Sequence, residues 1–226
     1  MSLQSILAIA ETVSINDHKF AGQMLSRNLR ISTSEILTVQ PFQFTIKPMN
    51  YLQYSTNRGV LSTLRTADRI SEQYINFGTT GWLNYIAYQG DMTSVQANAT
   101  TIEVGTTGKN IILGTLPSIS SSLYIVKAGD FIQIDRYSYI ATASVQRGGS
   151  STVTIPVHRT IMTTVSSQLP AVIGQYGTTT SLGGSTYTGI TFPVVLRDYP
   201  AYTLVPMTND SFISWDGAFG AYEVVL

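Results

Sequence analysis

The stretch GDFIQIDRYSYIATASVQRGGSSTVTIPVHR, residues 129–159, alternates with a period of two over most of its length. After Gly129-Asp130, the run Phe131 to Ile134 is rich in apolar residues. Tyr137, Tyr139, Ala141, Ala143 and Val145 then alternate with Ser138, Ile140, Thr142 and Ser144. Gln146 to Ser150 interrupts the pattern around Gly148-Gly149, after which Val153, Ile155 and Val157 alternate with Thr152, Thr154 and His158. Successive side chains of a strand point to opposite faces, so the pattern predicts strands joined by a hairpin at the glycine pair. The stretch also holds an acid, arginines and a histidine, but no catalytic set is evident among them.

The flanking sequence extends the same theme. Phe42, Phe44 and Ile46 alternate with Gln43, Thr45 and Lys47, and Ile190, Phe192, Val194 and Leu196 alternate with Thr191, Pro193, Val195 and Arg197. Long strands are predicted over 23–32 and 35–47, separated by Ser32-Thr33-Ser34. Pro41 lacks a ladder donor, which implies an edge or a bulge. Ile6 to Ile15 is expected to be extended. Asp216-Gly217 in SFISWDGAFGAYEVVL, with Trp215 just before it, predicts a closing hairpin. Only 57–77 changes period: Val60, Leu64, Ala67 and Tyr74 fall on helical spacing, with Leu61 and Ile70 widening the stripe. Residues 90–122 and 174–189 are rich in Thr, Ser, Asn and Gly and read as long surface loops, the first with short strands such as Thr101 to Val104 and Ile111 to Leu113 within it. The sequence thus predicts a mainly β chain of roughly nine to eleven strands with one packed α-helix. It forms one domain over 1–226, whose halves, 1–89 and 123–226, are joined by the loop-rich 90–122.

Composition narrows the function. The chain has 226 residues, of which only 12% are charged, with 13 basic against 13 acidic. A neutral chain without clustered Lys and Arg is a poor free nucleic-acid binder, and low charge gives little protection against self-association. Ser and Thr make up roughly a quarter of the chain, well above ordinary usage. Cys is absent, so disulfides and thiolate-bound metals are excluded. The N-terminal apolar run Ile6 to Ala10 is too short for a signal or a membrane span, so a soluble protein without membrane insertion is expected.

Candidate chemistry is sparse. His18 and His158 lie 140 positions apart in the sequence, and neither has a partner at metal-ligand spacing. No serine sits in a Gly-x-Ser-x-Gly elbow. Asn209, Asp210 and Asp216 offer oxygen ligands without the spacing of a calcium loop. Gly148-Gly149 and Gly183-Gly184 are followed by no phosphate-binding lysine or helix start. Glu223 and Asp216 are the carboxylate pair a wall-degrading hydrolase would use, with nothing in the sequence to fix their separation. No enzyme, metal or cofactor is expected. The 13 Tyr, 8 Phe and 2 Trp suit an assembly interface or, as a rival reading, a sugar- or receptor-binding surface at 174–189 or 199–202.

Three stretches carry a resemblance. AGQMLSRNLRISTSEILTVQPFQFTIKP (21–48) is similar to the long opening strand pair of tail structural proteins of tailed bacteriophages, of the distal-tail, hub or tube-initiator type. YLQYSTNRGVLSTLRTADRISEQYINF (51–77) resembles the helix that follows that pair. KAGDFIQIDRYSYIATASVQRGGSSTVTIPVHR (127–159), with LRDYPAYTLVPM and FISWDGAFGAYEVV, resembles the closing half. The resemblance implies a tail-tube-like β-sandwich or barrel that assembles as a ring, commonly of six copies, at the tail tube–baseplate junction. Other tail tube and baseplate proteins would be its neighbours, DNA would only pass through the channel, and the protein would be made in the bacterial cytoplasm and end in the virion. It also implies that the strands at 22–31 and 35–47 join neighbouring copies around the lumen. Arg30, Ile36, Phe42, Phe44 and Ile46 are then the self-assembly residues, and Gly129, Asp130, Gly148, Gly149, Trp215, Asp216 and Gly217 shape the hairpins and sheets.

Overall fold

A computed structural model of the chain describes residues 3–17, 21–25, 31–35, 41–67, 70–77, 84–198 and 201–225. The chain forms two compact units: Met1–Ile75 with Pro193–Leu226, and the continuous stretch Asn76–Phe192. Their boundaries are not those of the expected halves, because 90–122 lies inside the second unit. The architecture is mainly β, as the alternation predicts.

The first unit opens with helix α1 (Leu3–Ala8), where Leu3, Ile6 and Leu7 are buried. The run expected to be extended over Ile6 to Ile15 is helical at its start, where the i, i+3, i+4 spacing makes one apolar helical stripe, and extended from Ala10 onward. Strand β1 (Ala10–Asn16) follows, then β2 (Ala21–Leu25) and β3 (Ile31–Glu35), which form a two-stranded antiparallel ribbon with Ala21 opposite Glu35. Ser32-Thr33-Ser34, expected to separate two strands, belongs to β3. Arg30, Ile36 and His18 lie outside the described residues. Strand β4 (Gln43–Pro48) begins just after Pro41, so the proline needs neither an edge nor a bulge. After β5 (Leu52–Gln53), helix α2 runs over Tyr54–Ala67, and the chain leaves the unit through β6 (Gln73–Asn76). The helix expected over 57–77 is thus shorter. Ile70 is 88% exposed, while Ile75 is buried in the strand, because the β-branched and aromatic residues of QYINF favour a sheet.

Among the described residues the second unit holds a short 3-10 turn (Asn84–Ile86), helix α3 (Ser94–Ala99) and eleven short strands. Those of its first part are β7 (Thr101–Ile102), β8 (Asn110–Gly114), β9 (Tyr124–Val126), β10 (Phe131–Ile134) and β11 (Tyr137–Ile140). They are followed by β12 (Val145–Gln146), β13 (Val153–Pro156), β14 (Leu169–Pro170), β15 (Val172–Ile173), β16 (Thr178–Leu182) and β17 (Ser185–Thr188). Thr93 and Gln96 close a capping box on α3, each side chain accepting the other's backbone N–H. The short strands expected near Thr101 and Ile111 are β7 and β8, but 90–122 is no surface loop, since its Met92, Ile102, Ile111 and Leu113 enter the core with Ile132, Ile134 and Tyr139.

Pairing also corrects the hairpin expected at Gly148-Gly149. The hairpin in 129–159 is β10–β11, closed by Asp135-Arg136 with Ile134 opposite Tyr137 and Asp135 at φ 54°. The strands flanking the glycine pair turn to different partners, β12 to β9 and β13 to β8. Period two identifies a strand and its faces, not its neighbour. In the expected loop at 174–189, β16 and β17 form a hairpin with Leu182 opposite Ser185. Gly183 and Gly184 both have positive φ, as a two-residue primed turn demands.

The chain returns through β18 (Thr191–Leu196), β19 (Tyr202–Met207), β20 (Asp210–Trp215) and β21 (Phe219–Glu223). The five-stranded sheet runs β1-β4-β21-β18-β6, so the strands of exit and return are neighbours. A second, three-stranded sheet runs β19-β20-β5. Asp216-Gly217 is therefore no hairpin: β20 pairs with β19 and β5, whereas β21 pairs with β4 and β18. The turn instead carries the chain from one sheet to the other, with Gly217 at φ 146°. The hairpin is β19–β20, turning at Thr208-Asn209 with Asn209 at φ 65°.

Candidate functional site

The three-stranded sheet of the first unit presents apolar side chains at its surface. Among the described residues strand β19 stands at one edge of it, paired only with β20, and Thr203 to Met207 are all exposed. Leu204 is 42% exposed, Val205 43% and Met207 38%, so apolar side chains stand on both faces of the strand. In the antiparallel register Pro206 faces Ser211, between the pairs Val205–Phe212 and Met207–Asp210. Alternate pairs exchange no hydrogen bonds, so the proline fits where its missing N–H points outward, interrupting the edge that Tyr202 and Leu204 leave open. Tyr51, 71% exposed, adds a ring beside Phe212 at 6.4 Å between centroids.

A rigid base supports this surface. Trp215 is buried, its indole N–H donates to the Met49 carbonyl at 3.0 Å, and its backbone N–H donates to Asn50 Oδ1 at 3.0 Å. Its ring meets Tyr202 edge-on at 5.5 Å. Asp210, at the start of β20, takes the Ser55 hydroxyl at 2.7 Å on Oδ2, and takes the Ser55 and Ser211 backbone N–H groups on Oδ1. The Ser55 hydroxyl bond, with help from Ser211, holds this carboxyl below its ordinary value. An acidic group thus caps the first turn of α2 from a distant strand. Asp216 accepts from the Thr203 hydroxyl at 3.0 Å.

The residues expected to mediate self-assembly lie elsewhere. Phe42, Phe44 and Ile46 are at most 1% exposed and pack in the first unit's own core. Phe44 stands opposite Ala221 and Ile46 opposite Phe219, all on the inner face. Their side chains are therefore turned into the unit and are not presented at its surface. Glu223 shares that inner face: its backbone N–H donates to the Phe42 carbonyl at 2.8 Å, and its carboxylate accepts the Phe42 N–H at 3.0 Å. A buried carboxylate engaged by backbone is poorly placed for hydrolytic chemistry.

In the second unit, Asp130 is buried and does structural work. Its two oxygens accept the Gln89 and Lys127 backbone N–H groups at 2.7 and 2.8 Å. Burial nevertheless pushes this carboxyl above its ordinary value. Gly129, at φ 97°, makes the turn before it. Gly148, at φ 56°, and Gly149 occupy an exposed bend. His158 Nδ1 accepts from the Ile140 N–H at 2.9 Å, and the buried Arg159 donates to the Ser138 carbonyl at 2.7 Å with its guanidinium over the Tyr139 ring. Both side chains tie β11 to the segment after β13.

That segment, 160–168, crosses the unit as a strap. Tyr139 Oη accepts the Met162 N–H at 2.9 Å near one end, and Gln168 Nε2 reaches Glu103 Oε1 at 2.6 Å at the other. Beneath it opens a cavity of about 310 Å³ whose hydroxyl lining comes from Thr163, Thr164, Ser166, Ser167, Thr178 and Thr179. Among the described residues no group of three or more His, Asp or Glu could hold a metal ion. No described helix is long and apolar enough to cross a membrane.

Sequence reasoning passed over the exposed edge and the cavity. TLVPM breaks the alternation by keeping apolar residues on consecutive positions, and that is the signal of a strand exposed on both faces. The cavity assembles from three separate segments and has no local signature. No family model matches the chain, and no curated protein matches its sequence.

Proposed function

We propose that the chain is a non-enzymatic structural protein that works as part of an assembly of its own copies. The observation that carries this reading is the exposed apolar strand β19. An open sheet edge with apolar side chains on both faces is an aggregation hazard in a lone subunit and is satisfied when a partner covers it. A heterologous contact through such an edge closes into a ring when its rotation permits. Low charge supports the same reading, since little repulsion opposes close approach of like subunits.

The particular assembly we propose is a ring of a bacteriophage tail at the tube–baseplate junction. It would contain copies of this chain, commonly six, stacked on other tail and baseplate proteins with DNA passing through the channel. This rests on the resemblance of 21–48, 51–77 and 127–159 to tail structural proteins. Strand β19 replaces the buried Phe42, Phe44 and Ile46 as the contact that closes the ring.

Sedimentation and negative-stain imaging of the purified protein test the proposal. Rings with a central hole, well above the 24.6 kDa of one chain, are expected. Val205→Lys puts a charge on the exposed edge without touching the core, so it is expected to yield folded monomers. Rings that persist in Val205→Lys overturn the edge contact, and a wild-type protein that stays monomeric at high concentration overturns self-assembly.

A further inference from the structure

The cavity beneath the strap has the chemistry of a ligand site, and its features point the same way. Its hydroxyls can each donate and accept, which suits a ligand that does both. Among the described lining residues Asp135 alone is charged and none is basic, so an anionic ligand would meet a carboxylate there with no described cation to offset it. Leu169, Pro170 and Val172 supply an aliphatic wall. A volume of about 310 Å³ lies at the lower end of small-molecule sites.

Thr179 adds the observation that points to a ligand. It is 4% exposed, yet its hydroxyl has no hydrogen-bond partner within the protein. A buried hydroxyl left unpaired is costly, and a ligand polar group in the cavity would recover that cost. The Gln133 side chain, by contrast, is fully engaged: its Nε2 donates to the Asp135 and Thr191 carbonyls, and its Oε1 accepts the Thr191 N–H at 2.8 Å. It is a fixed wall that turns the Asp135 loop toward the cavity. The strap is held near both ends and pinned in the middle by the buried Val165, so its hydroxyls are positioned before any ligand arrives.

We infer that this cavity binds a neutral saccharide, one or two sugar rings in size. Vicinal hydroxyls of the sugar bond to Asp135 and to the threonine and serine hydroxyls, and a C–H face rests on Leu169, Pro170 and Val172. The site is independent of strand β19 and of ring formation. The threonines, not the tyrosines of 174–189, carry the recognition: Tyr176 is turned to Tyr88, ring centroids 6.0 Å apart.

The test is a titration of the full chain, observed by amide chemical shifts, with glucose, galactose, N-acetylglucosamine, maltose, lactose and chitobiose. Inorganic sulfate and glutamate serve as anionic probes. At least one neutral saccharide is expected to bind saturably, with shifts confined to Asp135, 163–167 and 178–179. Thr179→Val keeps the shape and removes the hydroxyl, so affinity is expected to fall by about tenfold with cooperative unfolding retained. Thr164→Val, on the exposed strap, is a second variant with no core role. The proposal is overturned if no saccharide of the panel binds, if the shifts lie elsewhere, if the anions bind instead, or if both variants bind as the parent does.

Discussion

Phe44 and Ile46, in a strand only six residues long, and Phe42 just before it carry much of the first unit's core. Their inner face continues across the ladder into Phe219 and Ala221, and Phe42 and Phe44 also lie ring to ring at 6.4 Å. Phe44→Ala is therefore expected to destabilise the unit by about 3–5 kcal/mol, the usual cost of emptying a buried aromatic site. Chemical denaturation monitored by circular dichroism measures it. A loss of less than about 1 kcal/mol would mean that the site collapses freely or that the sheet packs otherwise. The face of each of these residues was legible in the sequence, since period two sorts them from Gln43, Thr45 and Lys47. What they face was not legible: a buried inner face and a subunit interface carry the same apolar pattern. Glu223 illustrates the same limit, because a carboxylate in a strand reads as exposed until its acceptor role toward the Phe42 N–H is seen.

Between elements, the Asp210 cap joins the β19–β20 hairpin to helix α2 and makes the exposed sheet depend on a charge. Its carboxyl is held below the ordinary value of 3.8, mainly by the Ser55 hydroxyl. A depressed folded value means that the cap contributes its stabilisation above 3.8 and loses it as pH falls through the folded value. Asp210→Ala is expected to speed hydrogen exchange in the first turn of α2 at neutral pH, with the core of the five-stranded sheet unaffected. The difference from the parent should vanish in acid, below the folded value. Equal exchange at neutral pH would show that the cap does not hold the helix. The hydroxyl and carboxyl of this pair lie 155 residues apart, so no local motif announces them. The same distance problem explains the misplaced hairpins. Asp216-Gly217 has favourable turn residues, yet the strands on its two sides belong to different sheets. Several strands of 90–122 and 160–173 are only two residues long, too short to show a period. By contrast, α3 was signalled by Thr93 and Gln96, a capping box hidden inside a Thr- and Asn-rich run.

At the scale of the whole chain, the second unit is a continuous stretch that leaves the first through β6 and comes back through β18, two neighbouring strands of one sheet. Composition gave no sign of this insertion, because both units draw on the same Thr-, Ser- and Tyr-rich alternation. The arrangement nonetheless has a testable consequence. Among the described residues the second unit's apolar cluster runs from Tyr88 to Tyr176, all within the stretch. Its two ends are tied to each other: Asn76 Nδ2 donates to Thr191 Oγ1 at 2.6 Å and to the Thr188 carbonyl at 2.9 Å. A stretch of about a hundred residues with its own core and adjoining ends has the makings of an independent domain. The excised fragment Asn76–Phe192 is accordingly expected to unfold in one cooperative transition, with near-ultraviolet circular dichroism from its packed tyrosines. It should also keep the cavity, since every residue lining that cavity lies within the fragment. A fragment with strand content but no cooperative transition would mean that the second unit does not fold on its own.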